Sequence, residues 1–375
     1  MNIAQWLYAD PADGPSQPLL TILQRQFPTA TLCSDFEQIL NNIDTLPGRH
    51  VVLMLPPQDG TIIPLDQSRK RWQNEIKILC KKNIECVLFI TEIFTISLAF
   101  DWICSIPNLL IVTPCQHNFG KNNYPWITWQ HWLHDAADSY KQPALIDHVN
   151  NFDPTHVKPM MFDVLLGGER PYRTLLHNWV EQDSALSPST VMTYYGVETA
   201  RPKFIYEPDM IVPEMQNFHT GAHCFFNGVE IRIGSVPPVS IYKQCAYSLV
   251  TETSAQHNFV FFTEKIARVM VCQRLFIVLS SYRYLHYLRE AGFQTFGNII
   301  NESYDLEVDD QRRWRMAFEQ MQQLAKRDQR EILQLIIPIV AHNRQVLLTT
   351  DWHGKMSTQV NQVLEARLGL NLKPA

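Results

Sequence analysis

Twice along this chain, short apolar runs alternate with stretches whose apolar residues recur at helical spacing, the sequence form of strand–helix units around a buried parallel sheet. In the first half, Val51 to Leu55, Cys86 to Thr91 and Leu109 to Thr113 have strand length. Ser68 to Lys82 and Thr95 to Ser105, between them, predict crossover helices. Lys141 to Pro159 is polar and broken by proline, and the alternation restarts beyond it. Phe162 to Leu166 then reads as a strand, Thr174 to Glu181 as a helix and Thr190 to Tyr195 as a strand. A chain of 375 residues exceeds what one core usually holds. The expectation is therefore a Rossmann-like domain over 1–150, a second α/β domain over 151–310 and a helical segment over 311–375.

The second domain carries the more specific local signals. Residues 200–238 hold many Pro, Gly, Asn and aromatic residues without sustained period, so they read as a long ordered insertion or lid rather than a sheet layer. Ser240 is placed to cap a short helix through Cys245, followed by a strand from Tyr247 to Thr251. Thr263 opens a helix that keeps Ile266, Val269 and Met270 at 3.6 spacing, and Leu275 to Leu279 is the next strand. Tyr284 to Ala291 predicts a helix stopped by Gly292. Beyond Asp309, Trp314, Phe318, Met321 and Ala325 form one apolar stripe, and Pro338 should bend or break the helix after it.

Composition narrows the function class. A hydrophobic share of 46% with 18% charged residues excludes wholesale disorder, and a net charge of -5 supplies no basic field to draw the chain onto nucleic acid. Met1 to Asp10 has neither a basic start nor a long apolar stretch, which predicts a cytoplasmic protein. Apolar runs such as Leu275 to Leu279 fall far short of the ~20 residues that span a bilayer, so no membrane span is expected. The eight cysteines are scattered without a CxxC pair and read as reduced core thiols. His131 and His134 with Asp135 have ligand-like spacing, but a packed or solvated histidine pair is the better reading. Trp126, Trp129 and Trp132 are spaced to stack on a sugar acceptor or, with more weight, to fill a core.

Three clusters bear on chemistry. In the first, the run Leu166-Gly167-Gly168-Glu169-Arg170-Pro171-Tyr172-Arg173 takes a strand through a double-glycine turn into a helix whose first turn suits Pro171. Glycines admit backbone N–H groups to a phosphate, the helix amino terminus adds partial positive charge, and Arg170 or Arg173 can add a guanidinium fork. An ordinary tight turn with surface arginines explains the same residues. No GxGxxG occurs, which argues against a dinucleotide oxidoreductase. In the second cluster, Glu252 ends a strand and Thr263-Glu264-Lys265 starts a helix, where Thr263 caps, Glu264 complements the dipole and Lys265 opposes it. Such a lysine needs solvent or an anionic ligand, and a capped surface helix is the plain alternative. In the third, Phe293 and Phe296 flank a turn before Asn301-Glu302-Ser303-Tyr304-Asp305, residues able to wall a base or a sugar, or simply to pack and cap.

Together, Phe261-Phe262-Thr263-Glu264-Lys265, the strand Leu275 to Leu279, Tyr284-Leu285 with Gly292-Phe293, and the Glu-Ser-Tyr-Asp element at Tyr304 resemble the donor domain of GT-B glycosyltransferases. The likeness is nearest to α-1,3-fucosyltransferase-like enzymes and to uncharacterised bacterial and phage glycosyltransferases. It spans roughly 162–305, and in the N-terminal half only the architecture agrees. The resemblance implies an α/β fold of two Rossmann-like domains facing a cleft, with a helical C-terminal tail. It implies a hexosyltransferase that moves a sugar from a nucleotide-sugar donor, GDP-linked by a slight lean, to a hydroxyl of a glycan or other acceptor. No separate cofactor and no bound metal are implied, and no clear DxD motif occurs. On this reading Glu264 contacts the ribose, Lys265 with Arg170 or Arg173 neutralises the diphosphate, Glu252 lies near nucleotide or sugar, and Gly167, Gly168, Thr263 and Tyr304 complete the donor site. The general base would come from the first domain, where Glu92 after one strand leads and His117 after the next is second. The competing reading is a non-catalytic glycan- or nucleotide-binding protein with the same fold.

Overall fold

The computed structural model describes residues 3–9, 17–55, 65–90, 106, 108–114, 116–117, 126–194, 207, 210–211, 223–255 and 259–369. The chain divides into two compact units, Met1–Gln130 with Asp351–Ala375, and His131–Thr350.

Unit one begins with β1 (Ile3–Ala9), α1 (Gln17–Gln26), β2 (Thr31–Cys33), α2 (Phe36–Thr45), β3 (Arg49–Leu55) and α3 (Leu65–Lys81). It continues with β4 (Glu85–Phe89), β5 (Leu109–Thr113), the two-residue β6 (Gln116–His117) and β7 (Trp126–Thr128). Six strands form one parallel sheet in the order β2-β1-β3-β4-β5-β7. Central strands β3, β4 and β5 are apolar over 51–55, 86–89 and 109–112 because both faces are covered, as expected of a parallel sheet. The predicted helix Thr95 to Ser105 lies outside the described residues.

Unit two opens with α4 (His131–Ser139), α5 (Pro143–Asn150), β8 (Met160–Leu165), α6 (Pro171–Gln182) and β9 (Thr190–Thr193). There follow β10 (Met210–Ile211), β11 (His223–Phe226), β12 (Val229–Arg232), α7 (Val239–Tyr242), β13 (Cys245–Thr251), β14 (Phe259–Val260), α8 (Glu264–Val271), β15 (Phe276–Leu279) and α9 (Tyr284–Glu290). The helices α10 (Asp310–Leu324) and α11 (Gln329–Thr349) close it, and α12 (Trp352–Leu368) returns to unit one. A second parallel sheet has the order β15-β13-β8-β9. The α/β class with parallel sheets is thus present in both units.

Several local expectations change. The first unit gives up 131–150 and gains 351–375, so the boundary falls near 130 rather than 150 and the segment 311–375 is divided between the units. The cause is packing: Met356, Val360, Leu364 and Leu368 of α12 fall at spacings of four on one face and join the core of the first sheet. Burying side chains of this kind stabilises by roughly 1.5–3 kcal/mol each. Arg49 Nη1 bonds the Leu368 carbonyl, and Trp129 Nε1 donates to His353 Nδ1 at 3.2 Å, while the Trp129 ring meets Phe89 edge-on. Within 200–238 the chain does form a sheet layer, the antiparallel β10-β11-β12, because the turn at Asn227-Gly228 takes both residues to positive φ and joins β11 to β12. Ser240 does not cap α7. Pro238 holds that position, and Ser240 instead gives its N–H and hydroxyl to Glu207.

Gly292, at φ 100, stops α9 as its achiral backbone permits. α11 runs through Pro338, which sits on the exposed side, where solvent can serve the carbonyl that the ring leaves unbonded. Among the described residues α11 is also long and apolar enough to cross a bilayer by length and composition, which run length in the sequence passed over. In unit two its stripe Ile332, Ile336, Ile339, Val340 and Leu347 is buried, and it packs with α8 and α4.

Candidate functional site

Strand order locates the site before any side chain does. From β8 the chain passes through α6 to β9 on one side, whereas β13 pairs with β8 on the other. Connections that diverge to opposite sides leave a crevice outside the carboxyl ends of the two strands, the usual ligand position in an open parallel sheet. At that point β8 runs into Gly167-Gly168 and β13 into Glu252-Thr253.

The double glycine acts differently from a simple phosphate loop. A Cβ on Gly167 would stand 3.2 Å from Arg173 Nη1, so glycine there clears room for the guanidinium. Arg173 Nη1 donates to the Gly168 carbonyl at 2.9 Å, and Nη2 reaches the Glu252 carbonyl at 3.4 Å. The side chain is 7% exposed, and its buried Nε has no hydrogen-bond partner. Arg170 stands at the head of α6 in extended conformation before Pro171, near enough to act electrostatically on Tyr172.

Across the crevice, Thr263 caps α8 by accepting from the Lys265 N–H at 3.3 Å. Lys265 Nζ lies 3.1 Å from Thr253 Oγ1, 3.3 Å from Thr263 Oγ1 and 3.0 Å from Glu264 Oε1. Arg173 and Lys265 therefore both reach the 252–253 corner, one at the Glu252 carbonyl and the other at the Thr253 hydroxyl. Burial raises the Glu264 carboxyl, yet the charges of Lys265 and Arg268 hold it below its ordinary value, so it is an anion at neutral pH. A Cβ on Gly234 would stand 3.0 Å from Glu264 Cγ, so glycine in the turn after β12 leaves this side chain room without a shift.

Glu252 faces inward. It is fully buried, its pKa pushed up by desolvation, and its oxygens accept from Thr263 N–H at 3.2 Å, Thr263 hydroxyl at 2.6 Å and Tyr284 hydroxyl at 2.7 Å. Tyr304 departs from the sequence expectation. It is 3% exposed, and its oxygen accepts from Val278 N–H within β15 at 3.5 Å, so it belongs to the core beneath the strand. Phe296 packs edge-on against Phe276, Glu302 binds Phe296 N–H, and Asp305 caps α9 at Leu285 and His286 N–H. That cluster packs and caps. Glu92 lies outside the described residues, and His117 is described only as part of β6. His131 and His134 are buried on α4, and Asp135 instead pairs with Arg232 at 3.1 Å, whose guanidinium covers Trp132.

No protein-family model matches the chain, and no curated protein matches it. Its likeness is to α1,3-fucosyltransferases. A solved α1,3-fucosyltransferase with GDP-fucose is 12% identical over 97% of this chain and 91% of its own, with a TM-score of 0.45. An α1,3-fucosyltransferase with GDP is 10% identical over 94% and 92%, with a TM-score of 0.41.

Four residues behind or beside the site, Tyr172, Tyr284, Gly234 and Arg283, are given no role by the sequence. Tyr172 hydroxyl donates to the carbonyls of Glu252 at 2.5 Å and Thr253 at 3.2 Å, and Tyr284 reaches Glu252 from 32 positions away. Gly234 and Glu264 meet across 30 residues. Arg283, after β15, adopts a left-handed φ of 63, and its buried Nε lacks a hydrogen-bond partner, strain of a kind that gathers at ligand sites.

Proposed function

We propose that the carboxyl end of the unit-two sheet binds the diphosphate of a nucleotide sugar and that the protein is a glycosyltransferase. The observation that carries this reading is Arg173: a guanidinium buried to 7% exposure with an unpartnered Nε, at the same strand-end corner that Lys265 reaches. Burying a cation without a carboxylate is costly unless an anion completes it. A pyrophosphate supplies that charge. In sugar transfer the leaving nucleoside diphosphate gains negative charge as the glycosidic bond breaks, and Arg173, Lys265 and the amino terminus of α8 are set where such charge is stabilised. Glu264, held anionic, accepts hydrogen bonds from the ribose hydroxyls. The acceptor is a hydroxyl of a glycan or other molecule, and its proton passes to a base for which Glu92 leads and His117 is second. A guanine nucleotide is the first donor to test, on the sequence resemblance alone.

A thermal-shift panel of GDP, UDP, ADP and inorganic pyrophosphate tests the site, because a ligand that binds only the folded chain raises its melting temperature. We expect a nucleoside diphosphate to stabilise the wild type and Arg173→Met to lose most of that shift. No shift with any of the four overturns the reading. A shift without sugar transfer from any donor leaves a nucleotide-binding protein and overturns the enzyme.

A further inference from the structure

Resting on that reading, we propose that Glu252 is a positioning residue, which sets the orientation of the Thr263 hydroxyl and through it the place of Lys265, and which contacts no part of the donor. Its exposure is 0%, and both carboxylate oxygens are already taken. Oε1 accepts from Thr263 N–H and Tyr284 hydroxyl, and Oε2 accepts from Thr263 hydroxyl. The backbone carbonyl of the same residue receives Tyr172 hydroxyl and Arg173 Nη2. One residue thus ties both cations of the cradle to the end of β13.

The argument turns on a single proton. An ionised carboxylate only accepts hydrogen bonds, whereas a hydroxyl has one proton to give and two lone pairs to receive with. At 2.6 Å from Oε2, the Thr263 hydroxyl gives its proton to Glu252. Its lone pairs then face Lys265, whose backbone N–H and Nζ both donate to Oγ1 at 3.3 Å. The carboxylate therefore acts on the ammonium through Thr263, by deciding which way that hydroxyl points. A glutamine at 252 keeps the shape but offers a donor NH2. Directed at Oγ1, it reverses the hydroxyl and removes the acceptor that Lys265 uses.

The test compares dissociation constants for GDP, UDP and inorganic pyrophosphate in folded variants, by calorimetry. Glu252→Gln is expected to weaken all three by about tenfold, leaving the GDP to UDP preference unchanged because only the diphosphate contact moves. Thr263→Val removes the same relay and is expected to give the same loss, with no further loss in the double variant. Tyr284→Phe deletes a bond to the same carboxylate without touching the relay. It is expected to lower the melting temperature and leave affinity within about twofold. A folded Glu252→Gln protein that binds pyrophosphate like the wild type overturns the proposal, as does an equal loss in Tyr284→Phe. If Glu252→Gln does not fold, Thr263→Val decides by the same criterion. Failure of the wild type to bind any of the three sinks the functional reading and this inference with it. Wild-type binding that the relay variants leave unchanged sinks this inference alone.

Discussion

Two arginines in unit two are buried to nearly the same degree, each bonds two carbonyls and covers a tyrosine ring, and they differ in whether a carboxylate meets the charge. Arg274, at the amino ends of the strands, gives Nε to Ser248 Oγ at 2.9 Å, Nη1 to the carbonyls of Tyr242 and Cys245, and Nη2 to Asp163 at 2.5 Å. Its guanidinium also covers the Tyr242 ring at 4.2 Å, and Ser248 closes the network by donating to Asp163. Arg173, at the carboxyl ends, touches two carbonyls, and among the described residues no carboxylate pairs with it. A neutralised, fully bonded guanidinium is part of the architecture. One left with charge and a donor to spare is prepared for something that arrives.

The sharpest way to break this contrast is to truncate each arginine in turn. Arg274→Ala strands Asp163 in the interior and is expected to cost about 3–5 kcal/mol, read as a drop in the urea midpoint with nucleotide affinity per folded molecule unchanged. Arg173→Met is expected to forfeit roughly 1.5–3 kcal/mol of diphosphate binding, measured by calorimetry, and to change stability by less than Arg274→Ala does. Should Arg173→Met unfold the protein while nucleotide affinity is untouched, the two arginines are alike and the contrast is void. A smaller effect is expected of Gly167→Ala, whose new methyl crowds Arg173 Nη1 from 3.2 Å: a several-fold weaker Kd at nearly unchanged melting temperature.

The smallest effect is a pH dependence. Burial holds Glu252 above the ordinary glutamate value, so between that value and the raised one the folded chain binds more protons than the unfolded. Stability from this group therefore falls as pH rises through that window. Glu264 runs the other way, since its lowered value contributes stability that is present above the ordinary glutamate value and lost as pH falls through the lowered one. Urea midpoints followed from acid to neutral pH should show a shallower decline for Glu252→Gln than for the wild type, and an unchanged slope would count against a Glu252 carboxyl raised by burial.

The sequence disclosed the α/β class and these strands because β3, β4, β5, β8, β13 and β15 are mostly apolar runs of strand length. It was silent on β1, where Gln5 interrupts the pattern, and on the brief β7. The Thr263 cap and the helix after it were legible because capping is local chemistry. Arg173 and Gly167 were legible as a turn and not as a fit, for the 3.2 Å approach exists only once β8 and α6 are folded. Glu252 pointed to the right strand end while concealing its direction, because the partner that turns it inward, Tyr284, arrives from another helix.

The return of α12 to the first sheet has a consequence for how the molecule is made. During synthesis strands β1 to β5 leave the ribosome well before Val360, Leu364 and Leu368, which join the same core. Unit two, an uninterrupted stretch, has all its residues in hand earlier. The unit that holds β1 is thus the one that must wait, its core incomplete and open to chaperones and proteases until α12 emerges from the exit tunnel.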